Sequence, residues 1–373
     1  MTFVFDAAAA IPFLLLGFVA AAAVAFVLTP IVRRRAIRLG IVDRPNHRRV
    51  NTRPMPRSGG LAIAAAFLSV SVVLVVLNTQ FRWIRLPPLL EGADVVALLA
   101  GAAAAATIGA LDDLLDLRAR WQLLGQLGLA FGAVALGIGI TSVNNPFGPG
   151  TIPFPGVIGV AITVLWIVGM INSVNFIDGL DGLSSGIGLI AALTLGVISL
   201  TITIGQPFVA LLCFALAGSL LGFLRWNFHP ASIFPGTSGT MFIGYTLAVL
   251  SILGSAKVAV ALLVLGIPII DAFWIIVRRL FAGRSPFTPD RGHIHHRLLD
   301  LGLSHRRTVV LIYGICGVLG VLSLVLTGAD QVYAFGGVFV GTGILLLLLA
   351  MGTGNGSLDA ESYEPEARGD ARR

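Results

Sequence analysis

Charge is what this sequence has least of: 12% of its 373 residues are Asp, Glu, Lys or Arg, whereas 56% are hydrophobic. A soluble domain carries about twice that charge, so an ordinary water-exposed globule is excluded. Cysteine is scarce too. Cys213 and Cys316 both fall inside apolar runs, without neighbours at a metal-ligand spacing, which excludes a disulfide framework or a cysteine-based metal centre. No basic stretch precedes the first apolar run, so a cleavable signal peptide is not expected. No internal repeat is evident, which counts against a transporter built from inverted halves.

What remains is apolar sequence in long blocks, with a mean hydropathy of +0.93. Runs near the ~20 residues needed to cross a bilayer occupy 11–29, 61–77, 93–111, 123–140, 157–171, 183–204, 207–224, 239–254, 258–276, 309–327 and 333–351. The expectation is an all-α, polytopic membrane protein with ten or eleven transmembrane helices over residues 1–351. Residues 352–373 are polar and unpatterned, and read as a disordered cytoplasmic tail.

Of 25 Lys and Arg, 22 fall on one side of an eleven-span topology, leaving Arg82, Arg85 and Lys257 opposite. The cation-rich side is expected in the cytoplasm, which puts the N-terminus outside and the C-terminus inside. Topology and anionic lipid head groups therefore account for the net charge of +7, and nucleic acid is not needed to explain it.

The acids, amides and histidines sort to the same side. The run Asp112-Asp113-Leu-Leu-Asp116 follows the third span, and on a continuing helix its three carboxylates share one face. Hard oxygen ligands of this kind suit Mg²⁺, although an acidic helix end paired with Arg118 and Arg120 is an equal alternative. Asn172, Asn175 and Asp178 recur at spacing three, followed by Gly179, Asp181 and Gly182. Helix capping accounts for one of the acids but not for four polar groups. The segment Arg291-Gly-His293-Ile-His295-His296-Arg297 holds three histidines and two arginines in seven residues. Its spacing is no familiar zinc pattern, and cationic donors of this sort suit a diphosphate. A basic loop on lipid heads is the plainer reading of the arginines, but not of the histidines. Residues 43–60 form a proline-stiffened loop that includes Asn51 and ends in Gly59-Gly60.

Taken together, LDDLLDL, NSVNFIDGLDGL and RGHIHHRLL resemble the polyprenyl-phosphate N-acetylhexosamine-1-phosphate transferases of the glycosyltransferase 4 type, over about Asp43 to Leu301. The HIHHRLL form is similar to the branch that uses UDP-N-acetylglucosamine. The resemblance implies a bacterial plasma-membrane enzyme that moves N-acetylhexosamine 1-phosphate from a UDP-sugar onto undecaprenyl phosphate or a similar polyprenyl phosphate. UMP leaves, and cell-envelope polysaccharide synthesis begins. Mg²⁺, or Mn²⁺ in its place, is the implied cofactor, and a homodimer is compatible with it.

By the same resemblance Asp112, Asp113 and Asp116 are the catalytic acids. Asn172, Asn175, Asp178 and Asp112 hold the metal. Asp181, Arg120, Arg291, His293, His295, His296, Arg297 and Asn51 bind substrate. Three positions depart from the family pattern: Thr237 replaces a metal-binding Asp, Asn51 a His, and Gln122 a Lys. They leave open a donor-switched or inactive paralogue. A membrane transporter with an acidic and histidine-rich inner site is the rival of another class. It predicts ionisable groups in mid-span, where only Asp271 stands out.

Overall fold

A computed structural model of the chain describes residues 7–43, 54–81, 84, 92–145, 148, 150–201, 205–253, 257–281, 283, 292–326 and 329–352. The tail was expected at 352–373, but Gly352 is the last residue of a helix; the rest of it, 353–373, lies outside the described residues, as do the loop 44–53 with Asn51 and Arg291. Helix α1 (Ala7–Arg38) leads through a strand pair, β1 (Val42–Asp43) and β2 (Met55–Pro56), to α2 (Gly60–Phe81), α3 (Gly92–Leu115) and α4 (Ala119–Ala135). A hairpin of β3 (Ser142–Asn144) and β4 (Thr151–Pro153) precedes α5 (Gly156–Ile177), α6 (Leu183–Ser199), α7 (Pro207–Asn227) and α8 (Gly236–Leu253). The chain then forms α9 (Lys257–Val264), α10 (Gly266–Phe281), α11 (Ile294–Asp300), α12 (His305–Val325) and α13 (Ala329–Gly352). Both strand pairs are antiparallel.

Each expected apolar segment falls on a helix. Among the described residues, seven helices are long and apolar enough to cross a membrane, or eight if a bent pair counts as one span. That pair, α9 and α10, turns through 77°. Pro268 lies in the first turn of α10, where its missing N–H leaves no intrahelical bond unmade. Helices α4 and α6 are 17 residues each, shorter than a full span.

Helices α7 and α8 form the centre, with 83% and 78% of their apolar windows buried against 22% for α1. Small residues let the backbones meet there. Gly218 and Gly222 form a G-x-x-x-G stripe on α7, and a Cβ at either would stand 2.1 Å from the Phe18 or Ala22 carbonyl oxygen of α1. A Cβ on Gly60 would reach 2.0 Å from the Gly239 nitrogen, and one on Gly109 would reach 2.4 Å from the Thr237 oxygen. Helices α2 and α3 therefore abut the first turn of α8, and this junction builds one wall of the site.

Candidate functional site

Polar segments far apart in sequence line one cavity of about 630 Å³. Its walls come from the β1–β2 hairpin, the ends of α3 and α5, the α7–α8 connection, α11 and the start of α12.

The acidic run does not share one face. Helix α3 stops at Leu115 and Asp116 takes a left-handed φ of +46°, so the third carboxylate leaves the helix and all three diverge. Asp113 lies against the N-terminus of α8. Its Oδ1 accepts from the Thr237 amide at 2.8 Å, and its Oδ2 accepts from the Ser58 hydroxyl at 2.9 Å and the Ser238 amide at 3.2 Å. Buried Asp112 does not line the cavity and accepts from Gln122 Nε2 at 2.7 Å and the Leu117 amide at 3.0 Å. Gln122 thus contacts the acidic run where the family pattern has Lys. Exposed Asp116 pairs with Arg57, which also donates to the Asp113 carbonyl at 2.7 Å.

The Asn/Asp motif divides in the same way. Asn175 lines the cavity and accepts from the Thr240 hydroxyl at 3.0 Å. Asp178, just past the end of α5, accepts from the Ser184 hydroxyl at 2.5 Å. Burial pushes its carboxyl up to about 7; the Ser184 bond opposes this, while Asp113 and Asp181 add to it. Asn172, a turn earlier, faces α4 instead and donates to Gln126 at 2.6 Å. Asp181 lines the cavity and is held from two elements: its Oδ2 lies 2.7 Å from His229 Nδ1, and its amide donates to His305 Nε2 at 2.9 Å. Tyr313 of α12 donates to the carbonyl of adjacent Gly182 at 2.5 Å. Helix α12 thus pins the acidic turn at two points.

The histidine segment has three different environments. His296 lines the cavity. His293 Nδ1 lies 2.7 Å from Asp271 Oδ2, and Asp271 Oδ1 also accepts the Ile294 amide at 2.9 Å, so the mid-span acid anchors the start of α11. His295 is buried against Gly179, with neither ring nitrogen hydrogen-bonded. Burial first, then the neighbouring imidazoles, hold it well below the usual histidine range. Arg297 Nε donates to the Gly292 carbonyl at 3.1 Å. Arg120 is exposed, its guanidinium 5.4 Å from the Trp121 ring and outside the cavity lining.

Of the sequence-derived candidates, Asp113, Asn175, Asp178, Asp181, Thr237 and His296 meet at the cavity. Asp112, Asp116, Asn172, Arg120, His293, His295 and Arg297 do not line it. Sequence reasoning missed Arg57, His229 and His305 as lining groups, and Ser58 as a partner of Asp113. A histidine beside proline in a polar connection, as in His229-Pro230, was the one signal available for the second of these.

Asn175, Asp178 and Thr237 offer amide, carboxylate and hydroxyl oxygens to the same cavity, a donor set that fits a hard cation such as Mg²⁺. Asp113 is less suited to that part, because protein donors already occupy both of its oxygens.

Comparison with known proteins agrees with this architecture. Residues 95–255 match the model described as "Glycosyl transferase family 4". A Bacillus subtilis protein described as "Probable undecaprenyl-phosphate N-acetylglucosaminyl 1-phosphate transferase" is 37% identical over 322 residues, covering 85% of this chain and 86% of the relative. The "Decaprenyl-phosphate N-acetylglucosaminephosphotransferase" of Mycolicibacterium smegmatis is 35% identical, covering 86% and 84% respectively. The Yersinia pestis "Undecaprenyl-phosphate alpha-N-acetylglucosaminyl 1-phosphate transferase" is 30% identical, covering 76% of each chain. A multi-helical membrane fold, a polar cavity lined from segments far apart in sequence, and 30–37% identity over at least three quarters of this chain with three relatives lead to one assignment: the chain belongs to glycosyl transferase family 4.

Proposed function

We propose that this protein transfers N-acetylglucosamine 1-phosphate from UDP-N-acetylglucosamine to a polyprenyl phosphate, releasing UMP and beginning a cell-envelope polysaccharide. The reading is supported by the relatives' activities and by one structural observation: Asp113, Asn175, Asp178, Asp181 and His296, drawn from three separate motifs, line a single cavity. The arginine-rich face is taken to be cytoplasmic, where the water-soluble donor meets the lipid acceptor.

In the reaction an oxygen of the lipid phosphate bonds to the β-phosphorus of the donor. The bond from that phosphorus to the bridging oxygen breaks, and UMP leaves with the electron pair. A phosphate monoester is largely ionised near neutral pH, since its second pKa is about 6, so placing the nucleophile matters more than deprotonating it. Asp113 holds the first turn of α8 in position, and Arg57 beside it supplies a fixed positive charge at the cavity wall. His296 faces the same space as a donor to a phosphate or sugar oxygen. Asn175, Asp178 and Thr237 are the residues that would hold Mg²⁺, which when bound neutralises diphosphate charge. Asp181, fixed by α12 and His229, is assigned to the nucleoside.

The decisive assay supplies purified protein with Mg²⁺, undecaprenyl or decaprenyl phosphate, and a panel of UDP-sugars. UMP release and a lipid-linked product with UDP-N-acetylglucosamine are expected. No UMP and no lipid product with any donor, beside an active control enzyme, would overturn the assignment.

A further inference from the structure

Asp271 stands out as an acid within an apolar span, and the proposed reaction gives it no part. It lies in the second turn of α10, and its side chain is 1% exposed. A carboxylate in a membrane helix is costly, and where one persists it marks a functional position.

Both of its oxygens are engaged, and both engage the same element. Oδ2 lies 2.7 Å from His293 Nδ1, and Oδ1 accepts the Ile294 amide at 2.9 Å. An ionised carboxylate only accepts, so Nδ1 carries the hydrogen in this pair. His293 is the residue before α11 and Ile294 is its first, so the acid fixes where that helix begins. From this start α11 reaches the site through two side chains. His296 lines the cavity. Buried His295 packs so closely on Gly179, in the turn between Asp178 and Asp181, that a Cβ there would stand 2.2 Å from its Nε2. The rings of His293 and His296 flank it, with centroids 5.4 and 4.4 Å away. Neither nitrogen of His295 is hydrogen-bonded, so packing alone holds the ring and a shift of α11 carries it along.

We infer that Asp271 is a positioning residue for the transfer: without lining the cavity, it sets α11 so that His296 faces the substrate and His295 backs the turn that bears Asp178 and Asp181. The inference rests on the function proposed above. Its physical content is geometric. Two bonds from one buried acid replace the freedom of a seven-residue helix that is too short to hold itself in place.

Two substitutions separate position from charge. Asp271→Asn keeps the shape: its amide oxygen takes the Ile294 N–H, and its NH₂ donates to His293 Nδ1 once the ring hydrogen moves to Nε2, so both bonds persist. Asp271→Leu occupies a similar volume and supplies neither. With the full-length proteins in detergent, assayed well below their melting transitions, Asp271→Leu is expected to lose about tenfold to hundredfold in kcat/KM for UMP release, the scale of a misplaced group, and Asp271→Asn to stay within about threefold of the wild type. Wild-type kinetics in Asp271→Leu, or an equal loss in Asp271→Asn, overturns the inference. His293→Phe keeps a ring and drops only the Oδ2 bond, so it is a milder probe expected to move the same way. It carries the test should Asp271→Leu not fold.

Hydrogen exchange of the 293–300 peptide, read by mass spectrometry, should quicken in Asp271→Leu and match the wild type in Asp271→Asn. Unchanged exchange in the leucine protein overturns the inference whether or not UMP is released, whereas an inactive wild type counts only against the proposed function. A double-mutant cycle tests the contact with the acidic turn. Gly179→Ala should cost at least about tenfold in kcat/KM in the wild type and much less in a His295→Ala background, where the smaller side chain yields the space; additive losses refute the coupling.

Discussion

Asp113→Asn separates a structural from a purely chemical role for the acid most engaged at the cavity wall. The carboxylate accepts on both oxygens, from Thr237 on one side and from Ser58 and Ser238 on the other. An asparagine of the same shape retains one acceptor oxygen. Its better orientation keeps that oxygen toward Ser58 and Ser238 and turns its NH₂ against the Thr237 N–H, 2.8 Å away in the wild type. One buried donor then faces another donor, at a cost of about 1–3 kcal/mol. Losing a negative charge beside a helix N-terminus adds about 0.3–1 kcal/mol. The sum is about 1.3–4 kcal/mol, or roughly 3–8 °C in melting temperature at on the order of 2 °C per kcal/mol. Thermal unfolding in detergent measures it, with UMP release assayed well below both transitions. An Asp113→Asn protein as stable as the wild type would refute the clamp, however large its loss of activity.

Gly60→Ala should destabilise by about 1–3 kcal/mol, because its Cβ would meet the Gly239 backbone nitrogen at 2.0 Å, and backbone cannot swing aside. Gly128→Ala, with nothing within 4 Å of the added atom, should instead be neutral or stabilising by up to about 1 kcal/mol; thermal melts compare the pair. Thr237→Asp adds a carboxylate beside Asp113 and Asp178, so activity should saturate at several-fold lower Mg²⁺, and an unchanged Mg²⁺ titration would place this position away from the ion. His295 is held below its ordinary value of about 6.5, so the unfolded chain binds the proton more readily. Its contribution to stability is complete above about pH 6.5 and falls as pH drops below that, by up to 1.36 kcal/mol per unit down to the folded-state value. Melts from about pH 7.5 to about pH 5 should drop less steeply for His295→Gln than for the wild type.

The apolar segments were legible because a bilayer demands length and hydrophobicity that no other arrangement requires, and each lies on a helix. The bend between α9 and α10 was not legible, since 258–276 reads as one unbroken apolar run. At the site, helical periodicity failed where a helix ended. Asp116 was grouped with Asp112 and Asp113 on the premise that α3 continued, and its left-handed φ breaks that premise. Asn172 was grouped with Asn175 and Asp178 by spacing, but the partner that turns it aside is Gln126, which is 46 residues away. His229 and His305 carried little local signal because their meaning depends on Asp181, and the contact is made only by tertiary structure.

The double attachment of α12 to the turn at Asp181 and Gly182 limits how this enzyme can be re-engineered. The stretch that identifies the family ends at residue 255, yet the acidic turn takes its shape from His305 and Tyr313, beyond that boundary. A donor preference borrowed from a relative by exchanging residues 175–183 alone would seat the new loop on a foreign support. Segments 175–183 and 292–313 are therefore one transplantable unit, although more than a hundred residues of chain separate them.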